Sequence, residues 1–200
     1  MFSSREREIA VLAVALLLGA CMPRDPIVIG TNTAPAGNWR IEQQIDRVTG
    51  KPISSAFVTT HKVSTSKILF PPPAQLQLLC FKGMPNVSFL FPFKVGSTRN
   101  ASFGYRFDER PGHEIDVRFV SNYRSVLIEQ PDEVAQFVDE LSTAKGLYIL
   151  IRSLTAAGRT TAEFRLEGAP AAIKAAYLTC PIQTAKVAQT PTSKKKAGAR

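Results

Sequence analysis

Residues 74–81 read AQLQLLCF, and the fold turns on how this stretch is read. Leu76, Leu78 and Cys80 fall on one side, against Gln75, Gln77 and Leu79 on the other. Period-2 alternation of this kind belongs to a half-buried β-strand. Downstream, residues 86–93 (NVSFLFPF) place Val87, Phe89 and Phe91 on one face, and Pro92 marks an edge or bulge. Residues 101–108 (ASFGYRFD) do the same with Phe103, Tyr105 and Phe107, and residues 114–120 and 124–129 continue the pattern. Upstream, residues 56–65 (AFVTTHKVST) are β-branched and alternating. Residues 39–45 (WRIEQQI) begin in alternation, with Trp39 as a core anchor. Between these two, residues 46–52 (DRVTGKP) carry turn chemistry around Thr49-Gly50. Pro71-Pro72-Pro73 offers no backbone donors and ends any regular element.

The period changes after residue 131. Val134, Phe137, Val138 and Leu141 recur at helical spacing, which predicts a helix over 132–142 with Asp132 as N-cap. Residues 146–154 and 160–166 return to strand. Gly168 then opens a second helix, with Pro170 in its first turn and Ile173, Ala176 and Tyr177 on its face. Runs of strands with one inserted and one terminal helix predict a mainly β, α+β chain. The expected architecture is a single antiparallel β-sandwich or barrel-like domain with two short helices.

Composition agrees with one globular domain. The 200 residues are 44% hydrophobic and 20% charged, with 12 Gly and 14 Pro, which excludes collagen-like, coiled-coil and wholly disordered chains. A mean hydropathy of -0.01 excludes a polytopic membrane protein. Of the net charge of +9, five units come from Lys186, Lys194, Lys195, Lys196 and Arg200 in an acid-free tail. That tail, residues 183–200, lacks aromatics and is expected to be disordered. It is a candidate binder of an anionic polymer or lipid, with a solubilising terminus as the alternative.

Residues 9–19 (IAVLAVALLLG) form an uncharged run of eleven. A bilayer-spanning helix needs about 20, so the run fits the apolar region of a signal peptide. Leu18-Gly19-Ala20-Cys21 follows, and it resembles the lipobox of bacterial lipoproteins. The resemblance implies that Cys21 is acylated and becomes the mature N-terminus. No cofactor beyond that covalent lipid is expected. It also implies the bacterial cell envelope, with a periplasm-facing chain anchored to the membrane. Met22 rather than Asp follows the cysteine, which favours the outer over the inner membrane. The expected organisation is a signal peptide over 1–20, a flexible tether over 21–37, a β-rich domain over 38–182 and the basic tail over 183–200.

Two cysteines remain. In an exported protein Cys80 and Cys180 suggest one disulfide closing a 100-residue loop, with two free buried thiols as the alternative. Neither has a CxxC partner, and His61 and His113 lie in no ligand spacing, so no metal is expected. The densest polar cluster is His113-Glu114-Ile115-Asp116, near Asp108 and Glu109, with Arg106 and Arg118 available as partners. It reads as a solvated hairpin with ion pairs rather than an acid/base site. HExxH, GxSxG, GxGxxG and P-loop patterns are absent, and no catalytic residue is assigned. The aromatic rows are expected to pack a core rather than stack on single strands, so nucleic acid is not an expected partner.

Several residues together carry a second resemblance: Trp39, the turn at Asp46 with Thr49-Gly50, and the strand ending Leu78-Leu79-Cys80. Tyr105-Arg106-Phe107-Asp108, Phe137 and Leu141, Phe164, Gly168-Ala169 and Cys180 complete it. This series resembles the VasI-type envelope proteins associated with type VI secretion. That family is accessory, so the resemblance implies no reaction and transfers no catalytic residue. The expected function is a non-enzymatic envelope lipoprotein acting as a structural or accessory protein-binding component. Its partners would be the membrane, through the N-terminal lipid, and an envelope or secretion-apparatus protein. The alternative is a binding module for an anionic envelope polymer or lipid that works through the basic tail.

Overall fold

The computed structural model describes residues 28–46, 48–96, 101–153 and 158–182. Cys21, the signal segment and the basic tail lie outside these. Seven strands form one sheet: β1 (Val28–Ala36), β2 (Trp39–Asp46), β3 (Pro52–Thr60), β5 (Ala74–Phe81), β6 (Met84–Leu90), β10 (Ser125–Ile128) and β9 (Arg118–Val120), in that spatial order. Five form another: β4 (Val63–Thr65), β12 (Gly158–Arg165), β11 (Gly146–Ser153), β7 (Ala101–Phe107) and β8 (His113–Ile115). Helix α1 (Pro131–Leu141) links the sheets, and α2 (Ala169–Ala176) follows β12. The chain is mostly antiparallel β, and neither sheet closes, so the architecture is sandwich-like rather than a barrel.

Alternation places the core. Trp39, Val58, Leu76, Leu78 and Phe89 share the inner face of the seven-stranded sheet. Phe103, Tyr105, Phe107, Ile149 and Phe164 share that of the five-stranded sheet. Phe89 joins the layers, with ring centroids 5.1 Å from Phe103, 6.0 Å from Phe137 of α1 and 6.1 Å from Phe164. The aromatic rows are therefore core, as expected.

Four expectations need correction. Residues 114–120, expected to continue the strand pattern, divide between β8, which ends at Ile115 in the five-stranded sheet, and β9, which begins at Arg118 in the seven-stranded one. The stretch read as a tether contains β1: Val28–Ala36 pairs with β2 along its length, from Val28 opposite Asp46 to Ala36 opposite Trp39. β1 is an edge strand, where Pro35 costs no ladder bond, so its Pro, Thr and Asn content disguised it. The expected strand over 56–65 is instead two strands in different sheets. The chain turns the corner at His61-Lys62, where Thr60 Oγ1 donates to the Glu163 carbonyl and the Glu163 N–H donates to the Lys62 carbonyl. Finally, the N-cap of α1 is Gln130 rather than Asp132. Pro131 occupies the first helical turn, and Asp132 and Glu133 sit there as carboxylates facing the positive end of the helix dipole.

The Cys80–Cys180 disulfide is formed, with Cα atoms 6.1 Å apart. It fastens the chain just beyond α2 to the end of β5. Beside it, the buried Tyr177 hydroxyl donates to the Asn86 carbonyl at 2.8 Å. The other end of α2 is held by backbone. Gly37 (φ +61) and Gly168 (φ +94) face each other, and a Cβ on either would run into the backbone of the opposite turn. Asn38 N–H donates to the Glu167 carbonyl at 2.8 Å, and the Trp39 indole donates to the Leu166 carbonyl at 3.3 Å.

Gly168→Ala is expected to lower stability by about 3 kcal/mol, combining left-handed strain with a backbone clash. Gly50→Ala (φ +66), where nothing lies within 4 Å, should cost only about 1 kcal/mol. Urea denaturation of both variants checks this, and equal losses would contradict the contact. Reducing the disulfide, whose loop spans 100 residues, should remove about 4 kcal/mol in the same assay.

Candidate functional site

The polar cluster at His113 forms where β8 meets α1. His113 lies opposite Tyr105 in the β7–β8 ladder, and the two rings stack with centroids 4.9 Å apart. Its partners come from the helix, not from the hairpin. Nε2 lies 2.8 Å from Glu140 Oε1, and Nδ1 lies 3.2 Å from Gln136 Nε2. Both ring nitrogens thus face helix side chains, Nδ1 the Gln136 amide and Nε2 the Glu140 carboxylate. Arg110 closes the same corner by donating to the Glu140 carbonyl at 3.3 Å and to Thr143 Oγ1 at 2.8 Å. Glu114 and Asp116 point elsewhere, into a separate surface depression shared with Glu133. Arg118 pairs with Glu129, and Asp108 accepts the backbone N–H groups of Lys145 and Gly146.

Histidine, carboxylate and phenol lie together in this corner, but the phenol is 2% exposed. Burial, then the Glu140 and Glu133 carboxylates, push Tyr105 well above the ordinary tyrosine range. Its hydroxyl has no hydrogen-bond partner among the described residues. A neutral, enclosed phenol is badly placed to exchange protons with an outside substrate. The arrangement works as a clasp that holds α1 against the edge of the five-stranded sheet. Among the described residues, no three potential metal ligands cluster, and no helix is long and apolar enough to cross a membrane.

The outer face of the five-stranded sheet is different. Arg106 lies opposite Tyr148, which lies opposite Glu163; Arg152 lies opposite Arg159; Arg165 lies opposite Gly146. Opposed residues share a face, so four arginines surround one tyrosine on an open sheet. All four are exposed. Glu163 is engaged by Lys62 at 3.0 Å, and Arg159 reaches the Tyr148 hydroxyl at 3.4 Å. Arg106, Arg152 and Arg165 have no ion pair among the described residues. A shallow depression of about 290 Å³ opens between Arg106, Tyr148 and Arg165.

Sequence reading identified the Cys80–Cys180 pair but not this face. Each arginine alternates with buried neighbours, as in Tyr105-Arg106-Phe107, and that signal was visible. Bringing the four together required the register of three strands, which no local pattern provides.

No family model matches this sequence, and no curated protein does. Among solved structures, the chain is similar to invasion associated protein B from Bartonella henselae. The likeness has 15% identity and a TM-score of 0.48, covering 72% of this chain and 94% of that one. At that distance it bears on neither activity nor partner.

The two buried tyrosines should behave oppositely on removal of the hydroxyl. Tyr105→Phe is expected to raise stability by about 1 kcal/mol, because an unpaired buried hydroxyl is lost. Tyr177→Phe should lower it by about 1–2 kcal/mol, because the Asn86 carbonyl loses its donor. Burial pushes the Tyr177 phenol up as well. A phenol whose value is raised by folding stabilises fully below its unfolded value of about 10, and that stability is lost as pH rises further. Stability measured from pH 9 to 11 should therefore fall in the parent chain and fall less in the double variant.

Proposed function

We propose that this chain is a non-enzymatic, lipid-anchored component of the bacterial cell envelope that binds an acidic partner protein. The partner would dock on the outer face of the five-stranded sheet. The observation that carries this reading is the group of unpaired arginines around Tyr148. Arg and Tyr supply a large share of binding energy at protein interfaces, and guanidinium groups without internal partners are free to pair across one. The Cys80–Cys180 bridge suits a protein that matures in an oxidising compartment, in keeping with export through a lipobox signal. The resemblance to VasI-type proteins makes a secretion apparatus the first place to look for the partner.

A second reading has support from the same face. Arg152 and Arg159 stand at one end, and Arg106 and Arg165 at the other. The four residues from Tyr148 to Arg152 advance roughly 13 Å along β11. Charges repeated at that distance also suit a linear anionic envelope polymer, with the tail lysines adding to its retention.

Photo-crosslinking from position 148 in intact cells is expected to capture an envelope protein. The Arg106→Ala/Arg152→Ala/Arg165→Ala variant should reduce capture at least tenfold, and unchanged capture rejects the face. If retention on an anionic polymer column is what those substitutions abolish, the second reading stands. Deleting residues 183–200 then shows the tail's share, with the salt slope falling by roughly one per cation removed. Palmitate labelling should be lost in Cys21→Ser; persistent labelling there removes the anchor.

A further inference from the structure

Eight large apolar side chains are conspicuously exposed among the described residues, and six of them lie at one end of the seven-stranded sheet. The register places them there. Ile45 closes β2 opposite Pro52, and Gln44 lies opposite Ile53 at the start of β3. Ser55 lies opposite Leu79, so two residues further on Ile53 comes beside Phe81, which itself faces Met84. Val48 tops the β2–β3 turn and is 84% exposed. Leu178 joins them through the Cys80–Cys180 bridge next to it. The remaining two, Leu69 and Phe70, follow β4, far from this end along the strands.

The charged side chains at this rim include two lysines and one carboxylate. Lys51 and Lys82 are exposed, and Lys82 Nζ lies 5.5 Å from the Phe81 ring centroid. The carboxylate, Asp46, is engaged on its own hairpin, accepting from Val48 N–H and Thr49 Oγ1. A cluster of apolar side chains flanked by two lysines suits the headgroup boundary of an anionic bilayer. The chain itself arrives at the same rim. β1 starts at Val28, opposite Asp46, only seven residues after Cys21. Seven residues span at most roughly 25 Å, even fully extended.

We infer that this rim, built from Ile45, Val48, Ile53, Phe81, Met84 and Leu178, is a membrane-contact surface that seats the domain on an anionic lipid bilayer in a fixed orientation. The orientation rests on the lipid-anchor reading; the affinity of the rim for lipid does not. β1 stands end-on to the membrane, and the Leu69–Phe70 end points away from it.

The test uses the full acylated chain in vesicles of phosphatidylethanolamine and phosphatidylglycerol carrying brominated acyl chains. Tryptophan is introduced by Phe81→Trp or, at the opposite end, by Phe70→Trp, and the signal of buried Trp39 is subtracted. Bromolipid should quench the Phe81→Trp form at least twofold and leave the Phe70→Trp form nearly unchanged. Lys51→Glu/Lys82→Glu should weaken that quenching severalfold. Equal quenching at both ends, or none at position 81, overturns the inference. So does a dimer in sedimentation that Phe81→Asp splits, since the rim would then belong to a second copy. If palmitate labelling shows Cys21 bare, the anchor reading fails on its own. The same quenching with anionic vesicles added from outside still decides the rim.

Discussion

Two glycines in left-handed conformation, Gly37 and Gly168, let the first hairpin of one sheet press backbone to backbone against the exit of the other. Much of the rest follows from that approach. It sets Asn38 and Trp39 onto the carbonyls of Glu167 and Leu166, and so fixes where α2 begins. The helix then lies against β2, β3 and β5, and it can lie close because Ala169, Ala172 and Ala176 form its buried side. The disulfide and the Tyr177–Asn86 hydrogen bond hold the far end. An eight-residue helix has little stability of its own, and this one is fixed by its two ends.

The sequence made the middle of the fold readable because period-2 alternation there is strong and uninterrupted. Ala74–Phe81 emerges as a strand with the boundaries expected of it. The pairing of Cys80 with Cys180 was legible from the cysteine count and the expectation of export. What escaped were features that depend on neighbours. β1 has the composition of a linker and becomes a strand because β2 offers it an edge. The corner at His61-Lys62 breaks what reads as one continuous strand, because its hydrogen bonds come from Glu163, a hundred residues away. Asp132 looked like a cap, while Pro131 had already set the first helical turn.

The same distinction separates the two polar regions. His113 was prominent in sequence, yet its partners, Gln136 and Glu140, sit on a helix more than twenty residues downstream, and the cluster they form is a clasp. The arginines of the outer face were inconspicuous one by one. Their significance arises from strand pairing, which stacks Arg106, Arg152, Arg159 and Arg165 around one tyrosine while leaving most of them without internal partners. Charge counted along the chain had pointed to the tail; charge counted across the sheet points to the domain.

The bridge between Cys80 and Cys180 also imposes an order of maturation. One cysteine ends the fifth strand and the other follows the last helix, with 100 residues between them. A chain that emerges from its N-terminus therefore exposes Cys80 long before its mate exists on the same side of any barrier. The covalent lock cannot close until the segment that follows the second helix has been made. Up to that moment Cys80 is a lone thiol on an unfinished sheet, open to mispairing. The lock thus ties an early strand to the late end of the described fold, so its closure requires both to be present.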